Sequence, residues 1–229
     1  MKESLENIAK DPQYNKIADE FEKADQEFPD VTRPVLYSIL DKIGLEGKNI
    51  LDIGCGYGED VAYFSSKGAK AYGIDISDKM VELTKKRCPD VITSVAAMEK
   101  MPYQNEMLNI VFSRYAIQHS TDVERIFSEV DRILKYGGDF VFLVTHPFRQ
   151  YLEKETKDYW KQENVKSTIL GGKVVVEEPS HTMAEYINSP SLKYKFRLFD
   201  MKEIYDPAAD QTKTVGSSPS VLIMHYKKL

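Results

Sequence analysis

Apolar residues recur every three or four positions between residues 13 and 45, as at Ile17 and Phe21. This spacing places them on one face of a helix, which is typical of a helix packed against a core. Pro29 and Pro34 fall inside the run, and proline removes a hydrogen-bond donor from a helix interior. The pattern therefore predicts two helices joined by a turn rather than one long helix.

The pattern changes after residue 48, where short apolar runs alternate with helical stretches up to residue 146. The short runs predict buried strands at residues 49–53, 69–76, 90–96, 108–114 and 139–147. Helices are predicted between them, one capped by Ser77 and another capped by Ser120 or Thr121 and ended by Gly137 and Gly138. This alternation indicates a doubly wound α/β fold, with a mostly parallel sheet between two layers of helices. Ligands of such sheets bind beyond the carboxyl ends of the strands.

The rhythm after residue 146 is less regular. Residues 148–162 have a composition compatible with a helix, whereas residues 167–180 predict a β-hairpin that turns at Gly171 and Gly172. A short helix at 181–189 and two strands, at 195–205 and 220–227, complete the prediction. We therefore expect a single domain made of an N-terminal helical cap (1–45), a cofactor-binding core (46–146), a lid-like insertion that contacts the substrate (147–190) and terminal strands (191–229).

Composition limits the classes of partner. The 229 residues carry a formal net charge of -5, whereas proteins that bind nucleic acid through its phosphates usually have a basic excess. No run of apolar residues is long enough for a membrane span or a signal peptide, and the two cysteines form no metal-ligand pattern. We expect a cytoplasmic protein without a nucleic-acid, membrane or metal partner, and the composition leaves the oligomeric state open.

Three alternate glycines, Gly54, Gly56 and Gly58, follow the first predicted strand directly. Glycine lets the backbone turn sharply and lets a ligand approach where a Cβ atom would collide, so the loop favours a nucleotide-like cofactor over a plain turn. A dinucleotide fingerprint requires its third glycine at position 59, which is Glu59. The loop therefore departs from the pattern expected of NAD-binding proteins.

Acidic residues around the loop narrow the choice of cofactor. Asp52, Glu59 and Asp60 would repel a diphosphate placed at the start of the following helix. S-adenosylmethionine has no phosphate and carries a sulfonium cation, so these acids do not oppose it. Asp75 ends the second predicted strand, about 20 residues beyond the loop, where a carboxylate accepts hydrogen bonds from ribose hydroxyls.

Five segments in their order along the chain resemble the Rossmann-like (class I) S-adenosylmethionine-dependent methyltransferases of the small-molecule type. They are ILDIGCGYG, GIDIS, AMEKMPY, NIVFSRYAIQH and EVDRILKYGGDFVF, and they span residues 49–146. The resemblance implies a seven-stranded sheet in the order 3-2-1-4-5-7-6 with the last strand antiparallel. It also implies an enzyme that uses S-adenosylmethionine and releases S-adenosylhomocysteine.

The resemblance also implies which residues contact the cofactor. These are Asp52, Gly54, Cys55, Gly56, Gly58, Asp75, Ile76, Met80, Ala97, Met98, Glu99, Arg114 and Tyr115, with Tyr14 and Phe21 as an aromatic cover. Two positions depart from the family pattern. Ala97 replaces the usual Asp of the adenine loop, so the carboxylate contact to the adenine amino group is in doubt, and Tyr136 replaces the proline of the usual PGG turn.

Methyl transfer from a sulfonium is an in-line displacement that needs a base only if the acceptor must lose a proton. His119 and His146 follow predicted strands and are the catalytic candidates, while Phe148, Arg149 and Tyr151 are the candidate contacts to a small-molecule acceptor. The acceptor atom, whether oxygen, nitrogen or carbon, is not specified by the sequence. An NAD-dependent oxidoreductase and a non-catalytic S-adenosylmethionine-binding protein remain the alternatives.

Overall fold

The computed structural model describes residues 13–27, 30–205 and 218–229. The helices within these ranges are α1 (Gln13–Glu27), α2 (Arg33–Ile43), α3 (Glu59–Ser66), α4 (Asp78–Arg87), α5 (Val123–Ile133), α6 (Pro147–Glu153), α7 (Met183–Ile187) and α8 (Pro190–Lys195). The strands are β1 (Asn49–Ile53), β2 (Lys70–Asp75), β3 (Ile92–Val95), β4 (Leu108–Arg114), β5 (Leu134–Thr145), β6 (Asn164–Ile169), β7 (Val174–Pro179), β8 (Phe196–Ile204) and β9 (Val221–Lys228). Two predicted features, residues 1–12 of the helical cap and the break at Pro29, lie outside the described residues.

Seven of these strands form one sheet in the order β3-β2-β1-β4-β5-β9-β8. Strands β1 to β5 pair in parallel, and β9 runs antiparallel to both β5 and β8. The predicted order and the antiparallel last strand are confirmed. Because the chain first adds strands on one side of β1 and then returns to add β4 on the other, a crevice opens at the carboxyl ends of β1 and β4.

The strands supply side chains alternately to two apolar layers, as the period of two requires. Ile50 and Val141 pack with residues of α2 and α3 on one face of the sheet. Their neighbours Leu51 and Phe142 pack with residues of α5 on the opposite face. Helices therefore cover both faces, and the strand ends between them are fixed in position.

Two details of this core differ from prediction. Strand β3 was expected to be buried, but Ile92 is 49% and Val95 is 55% exposed, because β3 is the edge strand. Helix α5 is capped by Asp122, whose carboxylate accepts from the N–H of Arg125 at 3.1 Å. The Ser120 hydroxyl instead donates to Glu99 at 2.6 Å, and the helix ends at Ile133, before the predicted glycines, because β5 begins at Leu134.

The insertion contains a hairpin that is separate from the main sheet. Strands β6 and β7 pair antiparallel and are joined by a 3₁₀ turn, Leu170–Gly172, as predicted. Helix α6 ends at Glu153 rather than near residue 162, and Trp160 in the following segment is 78% exposed. None of the helices in the described ranges has the length and apolar character needed to cross a bilayer.

Candidate active site

A cavity opens at the carboxyl ends of β1, β2 and β4, where the strand order reverses. The predicted site residues that line it are Tyr14, Phe21, Gly54, Cys55, Gly56, Asp75, Ile76, Met80, Met98, Glu99, Arg114, Tyr115, His119 and Arg149. These residues come from six separate segments of the chain. The fold thus brings most of the sequence-predicted site residues to one place.

Other predicted site residues are not among those that line the cavity: Asp52, Gly58, Ala97, His146, Phe148 and Tyr151. His146 instead caps α6, since its Nδ1 accepts from the N–H of Phe148 at 3.0 Å, and its Nε2 lies 2.8 Å from Glu203. Phe148 is 43% exposed, and Tyr151 packs against Tyr159. We therefore no longer consider His146 a catalytic candidate, and Arg149 alone of the three predicted acceptor contacts reaches the cavity.

The cofactor wall is the side of the cavity formed by Gly54, Gly56, Asp75, Ile76 and Met98. Its glycine loop connects β1 to α3, and the N–H of Gly54 donates to the carbonyl of Ile74 in the neighbouring strand β2 at 2.8 Å. A Cβ atom on Gly54 would lie 2.3 Å from Cβ of Ala116, and the residue has φ +75°. Glycine is therefore required at this position by both packing and backbone conformation.

Asp75 is held in the cofactor wall by main-chain donors. Its Oδ2 accepts from the N–H of Gly56 at 3.0 Å, and its Oδ1 accepts from the N–H of Ser77 at 2.9 Å. Burial raises the pKa of Asp75, and these N–H groups act in the opposite direction. The carboxylate has lone pairs left for donors that enter the cavity.

Asp52 lies beneath the cavity floor and is 2% exposed. Its Oδ1 has no hydrogen-bond partner within the described part of the chain. Burial, and then the neighbouring Asp60, raise the pKa of Asp52 well above its usual range. A positive charge in the adjacent cavity would relieve this cost, because a buried carboxylate is stable as an anion only with a cation or donor nearby.

A buried ion network connects α1, α2, α3 and the end of β4. Arg114 lies 3.0 Å from Asp60 and 3.2 Å from Asp30, and Arg33 lies 2.8 Å from Asp25. Burial raises the pKa of Asp25 and Asp30, but Arg114, Arg33 and the hydrogen-bond donors around the two carboxylates together outweigh it and keep both pKa values below the usual range. The sequence analysis named Arg114 as a cofactor contact and Asp60 as an acid beside the loop, but it missed Asp25, Asp30 and Arg33, since charges near amphipathic helices usually face solvent.

The acceptor wall is the opposite side of the cavity, formed by Tyr14, Gln118, His119, Arg149, Ser167 and Glu178. The hydroxyl of Tyr14 lies 3.0 Å from Nε2 of His119. Burial lowers the pKa of His119, against the opposing effect of Glu178. Burial likewise raises the pKa of Tyr14. Both groups are therefore neutral at pH 7, and His119 has a lone pair that can accept a proton.

Helix α1 and the β6–β7 hairpin form the roof of the cavity, through Phe21 and Val176 among others. Two hydrogen bonds connect them. The amide of Gln13 donates to the carbonyl of Glu177 at 2.8 Å, and the N–H of Glu177 donates to Oε1 of Gln13 at 3.0 Å. The lid-like position of the hairpin and the aromatic cover of Tyr14 and Phe21 were predicted. The hydrogen bonds that join them were not, because a bond between such distant residues leaves no local pattern.

These features fit S-adenosylmethionine. The unpartnered Oδ1 of Asp52 suits a ligand with positive charge, and the carboxylate of Asp75 suits a ribose diol. Glu59 and Asp60 occupy the first turn of α3, which opposes a diphosphate at that helix start. A Cβ atom on Gly56 would meet nothing within 4 Å, so the loop leaves open space beside the cofactor wall.

Comparison with known proteins agrees with this chemistry. The family described as a methyltransferase domain matches residues 51–142. A solved S-adenosylmethionine-dependent methyltransferase from Mesorhizobium loti superimposes with a TM-score of 0.67 at 23% identity, covering 85% of this chain and 96% of the other. Residues 51–142 thus match a methyltransferase domain, and the fold of the chain is that of the Rossmann-like S-adenosylmethionine-dependent methyltransferases.

Two curated relatives extend the comparison. An uncharacterized protein of Methanocaldococcus jannaschii is 28% identical over 194 residues, which are 84% of this chain and 71% of that protein. A sarcosine/dimethylglycine N-methyltransferase of Halorhodospira halochloris is 34% identical over 100 residues, 41% of this chain and 36% of the enzyme. The alignment therefore spans little more than a third of the relative with a named activity.

Proposed function

We propose that this enzyme transfers a methyl group from S-adenosylmethionine to an oxygen, nitrogen or carbon atom of a small-molecule acceptor. The observation that carries the proposal is the continuity of one cavity between the cofactor wall and the acceptor wall, with neutral His119 on the latter. S-adenosylmethionine supplies, when bound, a methyl group on a sulfonium sulfur that departs as a neutral thioether. The chain's own residues then have to orient the two reactants and exclude water.

We assign the cofactor contacts from the geometry of the cofactor wall. Asp75 would accept hydrogen bonds from the ribose hydroxyls, and Met98 and Glu99 would border the adenine ring. The glycine loop would pass beneath the methionyl portion, with Asp52 below it providing negative charge. The Arg33 and Arg114 guanidinium groups also line the cavity, and they offer donors to the carboxylate of the cofactor.

We assign the role of proton acceptor to the Tyr14–His119 pair. The 3.0 Å contact joins the Tyr14 hydroxyl to Nε2 of His119, and a neutral imidazole is the form that a general base requires. A proton released by the acceptor would reach His119 directly or through the Tyr14 hydroxyl. Exclusion of water would come from the roof formed by α1 and the hairpin.

The acidic chain supports a small-molecule acceptor over a nucleic acid, since its formal net charge is -5. The relative from H. halochloris has a small amino acid derivative in its name, which is consistent with an enclosed cavity of this kind. A cavity roofed by a helix and a hairpin also suits a compact acceptor better than a polymer.

Thermal unfolding tests the cofactor assignment. S-adenosylmethionine or S-adenosylhomocysteine at a hundred times its Kd should raise the free energy of unfolding by about 2.7 kcal/mol. For a chain of this size that corresponds to roughly 5–10 °C in Tm, and NAD should cause no shift. A shift with NAD alone would contradict the assignment. Release of S-adenosylhomocysteine with pools of small metabolites then tests methyl transfer.

Asp75→Ala should abolish the thermal shift because it removes the carboxylate that faces the ribose. Asp78→Ala is the matched control, since Asp78 is an exposed acid three residues away in the first turn of α4. Its shift should equal that of the natural protein. An unchanged shift in Asp75→Ala would refute the ribose contact.

A further inference from the structure

Glu178 is a buried carboxylate on the acceptor wall without a cationic partner in the described ranges. It is 2% exposed, and within these ranges its carboxylate accepts one side-chain hydrogen bond, from the neutral amide of Gln150 to Oε1 at 2.8 Å. The other ionic group of this wall, Arg149, is already neutralised, because Glu153 lies 3.1 Å from its guanidinium. The carboxyl group of Glu178 therefore lines the cavity without an ion-pair partner in these ranges.

The position of Glu178 is fixed by its surroundings. Gln150 is fully buried, its amide also donates to the carbonyl of Pro179 at 3.2 Å, and its Oε1 accepts from the N–H of His181 at 2.8 Å. These contacts fix the side-chain amide of Gln150, which in turn positions the carboxyl group of Glu178. A carboxylate that is pre-oriented in this way loses little entropy when it binds a ligand.

Glu178 also lies close enough to the Tyr14–His119 pair to act on it. Its charge raises the pKa of Tyr14 and opposes the burial that lowers the pKa of His119. The unpaired negative charge and the candidate base therefore share one end of the cavity.

We propose, building on the methyl-transfer function above, that the acceptor is a small amine that enters as an ammonium ion and donates hydrogen bonds to Glu178. A buried carboxylate gains most from a cation that is also a hydrogen-bond donor. An alcohol would leave the charge uncompensated, and a carboxylate acceptor would be repelled. The reaction class is therefore N-methylation.

The ammonium must lose a proton before its nitrogen can react. One N–H bond of the ammonium breaks, and its electron pair stays on nitrogen. The Tyr14 hydroxyl receives this proton and at the same time passes its own proton to Nε2 of His119. Glu178 then stabilises the imidazolium that forms. The freed lone pair is the nucleophile for the methyl group.

Calorimetric binding of benzylamine, benzyl alcohol and benzoate tests the proposal on the full chain, alone and saturated with S-adenosylhomocysteine. The natural protein should bind benzylamine roughly tenfold to a hundredfold more tightly than benzyl alcohol, and benzoate most weakly. Glu178→Gln should abolish the preference, since glutamine keeps the size and still accepts from Gln150. A second series with isobutyl groups makes the result independent of ring size.

Glu177→Gln is the matched control, because Glu177 is the exposed neighbour on β7 and pairs with Lys166 at 3.3 Å, outside the cavity lining. It removes the same charge and should keep the amine preference. The proposal would be overturned by any of three results. The alcohol or the acid binds as tightly as the amine or more tightly, neither amine binds, or the amine preference survives in Glu178→Gln. Failure of S-adenosylhomocysteine to bind would instead contradict the proposed function, while the amine series on the protein alone still decides this inference.

Discussion

The cofactor wall and the acceptor wall face the same cavity but are built in different ways. The cofactor wall comes from consecutive strand ends between Gly54 and Met98, and it presents mainly backbone groups and one carboxylate. The acceptor wall combines side chains from α1, the 3₁₀ turn Ile117–His119, α6 and the hairpin. The first depends on the geometry of the sheet, whereas the second depends on contacts between elements that are distant in sequence. We therefore expect recognition of the cofactor to follow from the geometry of the sheet. Recognition of the acceptor should depend on the elements packed around the sheet.

Arg114→Met should have the largest effect, because the ion network lines the same cavity as the cofactor wall and also fixes α1, which carries Tyr14 to the acceptor wall. Asp30 and Asp60 would lose their 3.2 Å and 3.0 Å partners. Arg33 would remain 3.0 Å from Asp30 and 3.4 Å from Asp60, so three carboxylates would share one guanidinium. We expect the free energy of unfolding in urea to fall by about 3–5 kcal/mol, as when one partner is removed from a buried ion pair. Cofactor affinity should fall as well.

Lys166→Met is the control for that change, since Lys166 is 73% and its partner Glu177 is 54% exposed. Exposed pairs contribute roughly 0–1 kcal/mol, so its stability should be nearly natural. If Arg114→Met lowers the free energy of unfolding no more than Lys166→Met does, the ion network does not stabilise the two walls.

Gly54→Ala should come next and should affect the cofactor wall first. The added Cβ would overlap Ala116 and adopt a backbone conformation that alanine disfavours, so we expect a loss of about 2–4 kcal/mol and roughly tenfold weaker S-adenosylhomocysteine binding by calorimetry. Gly44→Ala separates the two causes, because Gly44 has φ +76° with nothing within 4 Å of the added atom. Gly44→Ala should lower the free energy of unfolding by about 1 kcal/mol and leave the affinity for S-adenosylhomocysteine unchanged. Equal losses of stability in the two variants would show that the overlap with Ala116 has no effect.

The smallest expected effect is the pH dependence of His119 on the acceptor wall. Its pKa is lowered by burial, so an NMR titration should place its midpoint below the ordinary value of about 6.5. Since the unfolded chain binds the proton more readily, His119 reduces stability as pH falls below the unfolded pKa. Glu178→Gln should move the midpoint lower still, because it removes a charge that favours the imidazolium. A midpoint above 6.5 would contradict the proposed base.

Most of the cofactor wall was predictable, because its elements leave local patterns. The apolar run before Gly54, the acid at the end of β2 and the cap at Ser77 are short-range signals, and the Ser77 side chain does accept from the N–H of Met80. The sheet order required the family resemblance in addition, since a strand's neighbours are not encoded in its own pattern.

The acceptor wall was mostly not predictable. His119 and Arg149 were named, but Glu178 and Gln118 were not, because a glutamate in an alternating strand resembles an ordinary solvent-facing residue until the strand is packed. The strand predicted at 90–96 is present as β3, but its expected burial was wrong for a related reason. Its apolar residues suggested burial, yet position at the sheet edge, which depends on topology, decided their exposure.

The paired hydrogen bonds between Gln13 and Glu177 have a kinetic consequence. They join α1 to the β6–β7 hairpin, so these two parts of the roof should open together as one rigid unit. The methylated product and S-adenosylhomocysteine would then leave during the same opening event. The rate of opening would set an upper limit on turnover.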